Sequence, residues 1–123
     1  MIGVELNPDA VKDARINAKQ NQVKNIRFYQ NDAGKLLVQM AEQGEKLDLL
    51  LLDPPRSGSS EAFLKAALQI GPERIVYISC NPETLVRDVK VLTVQGYRVE
   101  RAVAVDMFPF TEGIESVSLL VKV

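Results

Sequence analysis

A chain of 123 residues with 46% hydrophobic and 25% charged side chains is one domain of ordinary soluble composition, long enough to bury roughly two-thirds of the surface its unfolded form exposes. Its 15 basic and 16 acidic residues leave a net charge of −1, without the strong cationic footprint of a stand-alone nucleic-acid binder. One cysteine and no histidine exclude an internal disulfide framework, a cysteine–histidine hydrolase and any ligand spacing for a metal, and no apolar run approaches the ~20 residues of a membrane span.

Apolar runs that end in turn residues alternate with amphipathic segments, which predicts βα units on a mostly parallel sheet. The first run is Ile2-Gly3-Val4-Glu5-Leu6. Asn7 then caps a helix, Pro8 suits its first position and Asp9 favours its positive end, with Val11, Ala14 and Ala18 turned inward. Asn25 to Gln30 reads as a strand closed by Asn31-Asp32, and Lys35 to Gln43 as a helix with Leu36, Leu37 and Met40 inside and Gly44 at its end. Leu47 to Leu52, the most uniformly apolar run, fits a central strand and stops at Asp53-Pro54-Pro55. A helix over residues 61–70 leads to a strand over 74–78, and Asn81-Pro82-Glu83 repeats the Asn-Pro-acid start of the first helix. Leu85, Val89 and Leu92 form the inner face of the helix it opens, Gly96 ends it, and residues 97–105 and 116–123 read as two closing strands in an antiparallel pair. The opening MIGVELNPDA shows no secretory signal, so the sequence reads as that of a cytoplasmic protein.

On a single sheet these elements put Glu5, Asp32, Asp53 and Cys80 at the carboxyl ends of their strands, the edge where open α/β sheets bind ligands. An acid after an early strand suits ribose hydroxyls, a role open to Glu5. The ordinary roles of such residues are closing a strand or capping a helix for Glu5 and Asp32, and a turn carboxylate before a rigid Pro-Pro for Asp53. Cys80 precedes a helix start built from Asn81 and Pro82, where the dipole and free amides favour a thiolate, although a lone cysteine after a buried strand is more often inert packing. Met107-Phe108-Pro109-Phe110 is either a stacking surface or, as the commoner use of such residues, hydrophobic cover for the sheet end.

Asp53-Pro54-Pro55-Arg56, then Ser79-Cys80-Asn81-Pro82-x-Thr84-Leu85-x-Arg87-Asp88, then Asp106-Met107-Phe108-Pro109 with Glu115-Ser116-Val117 resemble, in order and spacing, the RNA uracil C5-methyltransferases. The resemblance spans practically all of residues 1–123 and corresponds to the C-terminal part of an S-adenosylmethionine-dependent catalytic domain. It implies a Rossmann-like class I methyltransferase fold that here lacks the first strand and its glycine-rich loop. It further implies that Cys80 adds to C6 of the target uracil, that Glu115 removes the C5 proton, and that Glu5, Asp32 and Asp53 line the cofactor site. Arg56 would contact the substrate or brace its loop. In that family a histidine often stands two residues before the final glutamate; this chain has Gly113 there.

The partner the resemblance implies is rRNA or tRNA, recognised through the full-length enzyme, and a partial domain of this kind is expected to be inactive by itself. Because the first strand of such folds lies mid-sheet, its absence predicts that the flanking strands over residues 2–6 and 47–52 pair directly or that a second copy of the chain covers their edges. Two other functions fit parts of the sequence. One is a non-catalytic α/β module that binds a nucleotide-like ligand or a partner chain, and the other is an amino-group methyltransferase, in which Asp-Pro-Pro is usually followed by an aromatic residue in place of Arg56.

Overall fold

The computed structural model describes residues 1–123. Its elements run β1 (Ile2–Glu5), α1 (Pro8–Gln20), β2 (Arg27–Gln30), α2 (Ala33–Glu42), β3 (Leu49–Leu52), α3 (Glu61–Ile70), β4 (Arg74–Ser79), α4 (Pro82–Val94), β5 (Tyr97–Val105) and β6 (Glu115–Lys122). No helix is long and apolar enough to cross a membrane.

The helix starts follow local chemistry. Asn7, Asp32, Ser60 and Asn81 each occupy an N-cap, and each side chain accepts a hydrogen bond from a backbone amide of the first turn. Pro8 and Pro82 stand at first helical positions, where the missing N–H leaves no donor unused. At the end of α3, Gly71 takes a left-handed φ of +62°, and its amide bonds Ala67 O at 2.9 Å.

Strand pairing divides the expected single sheet in two. β1 and β2 form a parallel pair, and β3, β4, β6 and β5 form a second sheet in that order. Within it β3 runs parallel to β4, while β6 runs antiparallel to both β4 and β5, as expected of the closing strands. β1 and β3 share no ladder, so direct pairing of the two flanking strands does not occur. Between the two sheets the chain runs through α2, which packs against α3 through Leu37, Ala41, Ala66, Ala67 and Ile70. Cover by a second copy concerns an assembly rather than this single chain.

The main core is one-sided. Leu64 of α3, Leu92 of α4, Ile75 and Tyr77 of β4, Tyr97 of β5 and Leu120 of β6 form a buried cluster on the face that α3 and α4 cover. The register places Leu51, Val76, Leu119 and Arg101 in one row of the opposite face, where Leu49, Leu51, Val103 and Val117 stand exposed. Burying Leu92 and Leu120 is worth roughly 2 to 3 kcal/mol each, so this cluster carries most of the stability of the four-stranded sheet.

Candidate active site

The carboxyl ends of β3 and β4 carry two loops that bind each other tightly. After β3 comes Asp53-Pro54-Pro55-Arg56-Ser57-Gly58-Ser59; after β4 come Cys80, the cap Asn81 and the first turns of α4. Asn81 Nδ2 donates to Arg56 O at 2.9 Å, Thr84 Oγ1 donates to the same oxygen at 3.0 Å, and Arg56 Nη1 donates to Cys80 O at 3.2 Å. Arg56 therefore braces the Cys80 turn through both its backbone and its side chain. Ser79 adds a local clamp, accepting from Asn81 N at 3.0 Å and donating to Asn81 O at 2.9 Å.

Beneath the loops lies Asp88, fully buried at 0% exposure. Its Oδ2 accepts from Tyr77 Oη at 2.6 Å and from Ser59 N at 2.7 Å, and its Oδ1 accepts from Arg87 Nε at 2.8 Å and pairs with Arg87 Nη2 at 2.7 Å. A buried carboxylate is tolerated only where such donors replace the water it has lost. Arg87 Nη2 also donates to Ser57 O and Ser59 O, each at 3.0 Å. Gly58 lies between these groups at φ +76°, where a Cβ would stand 2.5 Å from Arg87 Nη2 and 2.9 Å from Asp88 Oδ2. Only glycine fits that turn without displacing the carboxylate. Burial, reinforced by the hydrogen bond to Asp88, pushes the Tyr77 hydroxyl up to about 12.

The β4–β6 ladder brings two distant residues together. Its last pair is Ser79 with Ser116, so one further step sets Cys80 opposite Glu115, 35 positions along the chain. Both are half-buried, and the alternation puts them on the open face with Ile78 and Val117. Glu115 is in turn paired with Val105 of β5.

The remaining candidates are spread along the same edge. Glu5 ends β1, and its Oε1 accepts from Asn7 N at 2.8 Å. Asp32 caps α2, its Oδ1 accepting from Lys35 N at 2.8 Å, so its capping role is realised. Both carboxylates are exposed and each has a second oxygen outside these bonds. Asp53 is exposed just beyond β3. Glu5 thus belongs to the two-stranded sheet and Asp32 to the start of α2, while Asp53, Arg56, Cys80 and Glu115 lie at strand ends of the four-stranded sheet or in the loops that follow them.

The stretch Met107-Phe108-Pro109-Phe110 corrects an expectation. It does not cover the sheet end: Met107, Phe108 and Phe110 are all exposed, Phe110 completely. The loop is held by its own bonds, with Thr111 Oγ1 donating to Phe108 O at 2.6 Å, and Phe110 adopts a left-handed φ of 64° that points the turn away from the core. Arg87 and Asp88 were present in the motif without a role. The available signal was Asp88 falling on the inner stripe of α4 with Leu85, Val89 and Leu92, a position where a carboxylate needs partners.

Comparison with known proteins identifies the family and the fold. The family described as tRNA (Uracil-5-)-methyltransferase matches residues 1–123. An uncharacterized RNA methyltransferase of Halalkalibacterium halodurans is 47% identical over 118 residues, covering 96% of this chain and 26% of the relative. The crystal structure of Pyrococcus abyssi tRNA (uracil-54, C5)-methyltransferase in complex with S-adenosyl-L-homocysteine superposes with a TM-score of 0.84 at 38% identity, over 98% of this chain and 28% of that one. Precorrin-6y C5,15-methyltransferase of Geobacter metallireducens, at 20% identity and a TM-score of 0.73 over 99% of this chain and 66% of its own, shares the fold alone. The chain spans about a quarter of the length of the curated relatives it matches. The fold is the Rossmann-like α/β fold of class I methyltransferases. With the family match running over every residue that builds the Cys80 edge, the chain belongs to the tRNA (uracil-5-)-methyltransferase family.

Proposed function

We propose that this chain is the catalytic portion of a cytoplasmic RNA (uracil-C5) methyltransferase that acts on a uridine of rRNA or tRNA. The observation that carries the reading is the register that sets Cys80 opposite Glu115 at the ligand-binding edge of the sheet. Cys80, at the start of α4, serves as nucleophile: its thiolate forms a bond to C6 of uracil, and the C5=C6 electron pair moves into the ring as an enolate. S-adenosylmethionine, when bound, supplies the methyl group that C5 receives. Glu115 then accepts the C5 proton, the Cys80–C6 bond breaks with its electron pair returning to sulfur, and the C5=C6 bond is restored.

The cofactor fits the residues present in part. Glu5 and Asp32 end adjacent strands, and the free oxygen of each suits the ribose hydroxyls and the adenine edge respectively, with Asp53 across the divide between the two sheets. Arg56 and the exposed Phe108 and Phe110 supply a cation and stacking faces for the flanking nucleotides.

The decisive experiment uses an RNA hairpin that carries 5-fluorouridine, in which fluorine replaces the proton that Glu115 must remove. With S-adenosylmethionine present, a denaturant-stable protein–RNA band mapping to Cys80 is expected, lost in Cys80→Ser and kept in Glu115→Gln. With the full-length enzyme that contains this chain, a band that survives Cys80→Ser, or no band at all, refutes the reading. Titration with S-adenosylhomocysteine beside Glu5→Ala tests the cofactor assignment separately, and heat unchanged by the substitution would remove Glu5 from it.

A further inference from the structure

The chain is nearly neutral, yet its charge is not evenly spread. Residues 12–29 hold Lys12, Arg15, Lys19, Lys24 and Arg27 against the single acid Asp13, while the whole chain is −1. On α1, Lys12, Arg15 and Lys19 follow one another at i, i+3 and i+7, which places them on one stripe of the helix. Asp13 lies outside that stripe. The structure then sets this stripe against the start of β2: a concave surface of about 810 Å³ is lined by Arg15, Lys19, Lys24, Arg27 and Tyr29.

Nothing in the chain neutralises these cations. The three ion pairs of the molecule, Glu61–Lys65, Arg87–Asp88 and Arg98–Glu100, all lie elsewhere. Arg15 Nη2 donates to Phe28 O at 3.0 Å, which fixes α1 against β2 and shapes the groove. Lys19, Lys24 and Arg27 remain exposed, beside Tyr29 at 44% exposure. Like charges gathered on one face repel one another in the free protein, and a row of phosphates relieves that repulsion while releasing counterions. A cation on β2 alone would be explained as protection of an exposed sheet edge; the stripe on α1 would not.

We infer that the α1–β2 groove is a docking surface for an RNA sugar-phosphate backbone, separate from the Cys80 edge, with Lys19, Lys24 and Arg27 as phosphate contacts and Tyr29 as a stacking face. It rests on the reading of the protein as an RNA methyltransferase for the choice of RNA as the polyanion. Contacts of this kind position a substrate without reading its sequence, leaving the target base to the Cys80 loops.

The test is fluorescence anisotropy of a labelled RNA hairpin with the chain over a series of KCl concentrations, beside the triple variant Lys19→Ala/Lys24→Ala/Arg27→Ala. Arg15 is left in place because it holds the helix, and an unchanged thermal unfolding curve verifies the fold of the variant. The expected result is a loss of affinity of at least about tenfold at low salt, with the slope of log K against log[KCl] reduced by about 2. Unchanged affinity and slope, or an original chain that does not bind the hairpin, overturns the inference. Displacement of the RNA by poly-aspartate at equal charge concentration overturns RNA as the occupant and points to an acidic protein. Cys80→Ala keeps the salt-dependent binding whether or not Cys80 is the nucleophile, so the groove and the covalent mechanism fail independently.

Discussion

The two sheets differ in how they are held. The four-stranded sheet rests on a cluster of six buried side chains contributed by α3, α4, β4, β5 and β6, with Tyr77, Ile75 and Leu120 wholly inaccessible. In the β1–α1–β2 unit Val11 is the one buried residue, at 3% exposure, and Gly3 lies against the Phe28 ring so closely that an added Cβ would clash with it. Two strands and one helix cannot enclose a core of their own. The consequence for function is that Cys80 and Glu115 sit on the firm part of the molecule, while Glu5, proposed for the cofactor, sits on the soft part. The chemistry proposed for them, which needs a nucleophile and a base in fixed register, falls on the part with the larger buried cluster.

Removing the anchor of the firm part should have the largest effect. Asp88→Ala leaves the buried Tyr77 hydroxyl and the Ser59 amide without their acceptor, so a loss of about 1–3 kcal/mol for each stranded donor is expected in urea unfolding. Asp88→Asn, which keeps the shape and one acceptor, should lose clearly less; equal losses would mean that the carboxylate charge, rather than the shape, carries the whole effect. Next, Leu92→Ala opens a cavity beside Ile75 and Tyr77 and is expected to cost roughly 2–5 kcal/mol by the same measurement. A cost below about 1 kcal/mol would show that the two regions are less different than the packing implies.

Alkali probes the same core without a mutation. The Tyr77 hydroxyl has its folded value raised from 10.0 to about 12, so below pH 10 it is neutral in both states and stability is independent of it. Between pH 10 and about 12 the unfolded chain loses the proton and the folded chain keeps it, so stability falls by up to roughly 3 kcal/mol as the pH climbs through that window. Tyr77→Phe should remove its share of the decline. Tyr97, also raised by burial, contributes in the same direction.

The smallest global effect should come from the soft part. Val11→Ala removes about 1.5 kcal/mol of burial, but the loss should appear as faster hydrogen exchange confined to β1 and β2, with β4 and β6 unaffected. Faster exchange in β4 as well would show that the halves open as one unit. Sedimentation addresses the exposed edges of β1 and β3: a dimer is expected if a second copy covers them, and a monomer at all concentrations rules that cover out.

Much of this organisation was legible in the sequence because it is local. The Asn-Pro-acid starts at residues 7–9 and 81–83 act on amides two or three residues away, and the observed caps are the expected ones. The inner faces of α1 and α4 follow from helical spacing, and Val11 and Leu92 are buried as that spacing requires. The carboxyl-edge placement of Glu5, Asp32, Asp53 and Cys80 follows from where apolar runs meet turn residues. What escaped sequence reasoning is non-local. Asp88 reads as one more helix acid until the fold brings Ser59 and Tyr77 to it, from 29 and 11 positions away. The absence of a ladder between β1 and β3 concerns strands far apart in the chain, which no local pattern reveals. Exposure of the Met107–Phe110 loop depends on a turn geometry that its apolar composition opposes.

By itself the sequence determined the order of strands and helices, their caps, and the presence of a cysteine at a helix start, since each of these is decided within a few neighbouring residues. Only the tertiary structure decided that Glu115 stands opposite Cys80 and that Asp88 locks the loop beside them. Strand register and buried-charge pairing depend on contacts between segments tens of residues apart, and those contacts exist only once the chain has folded.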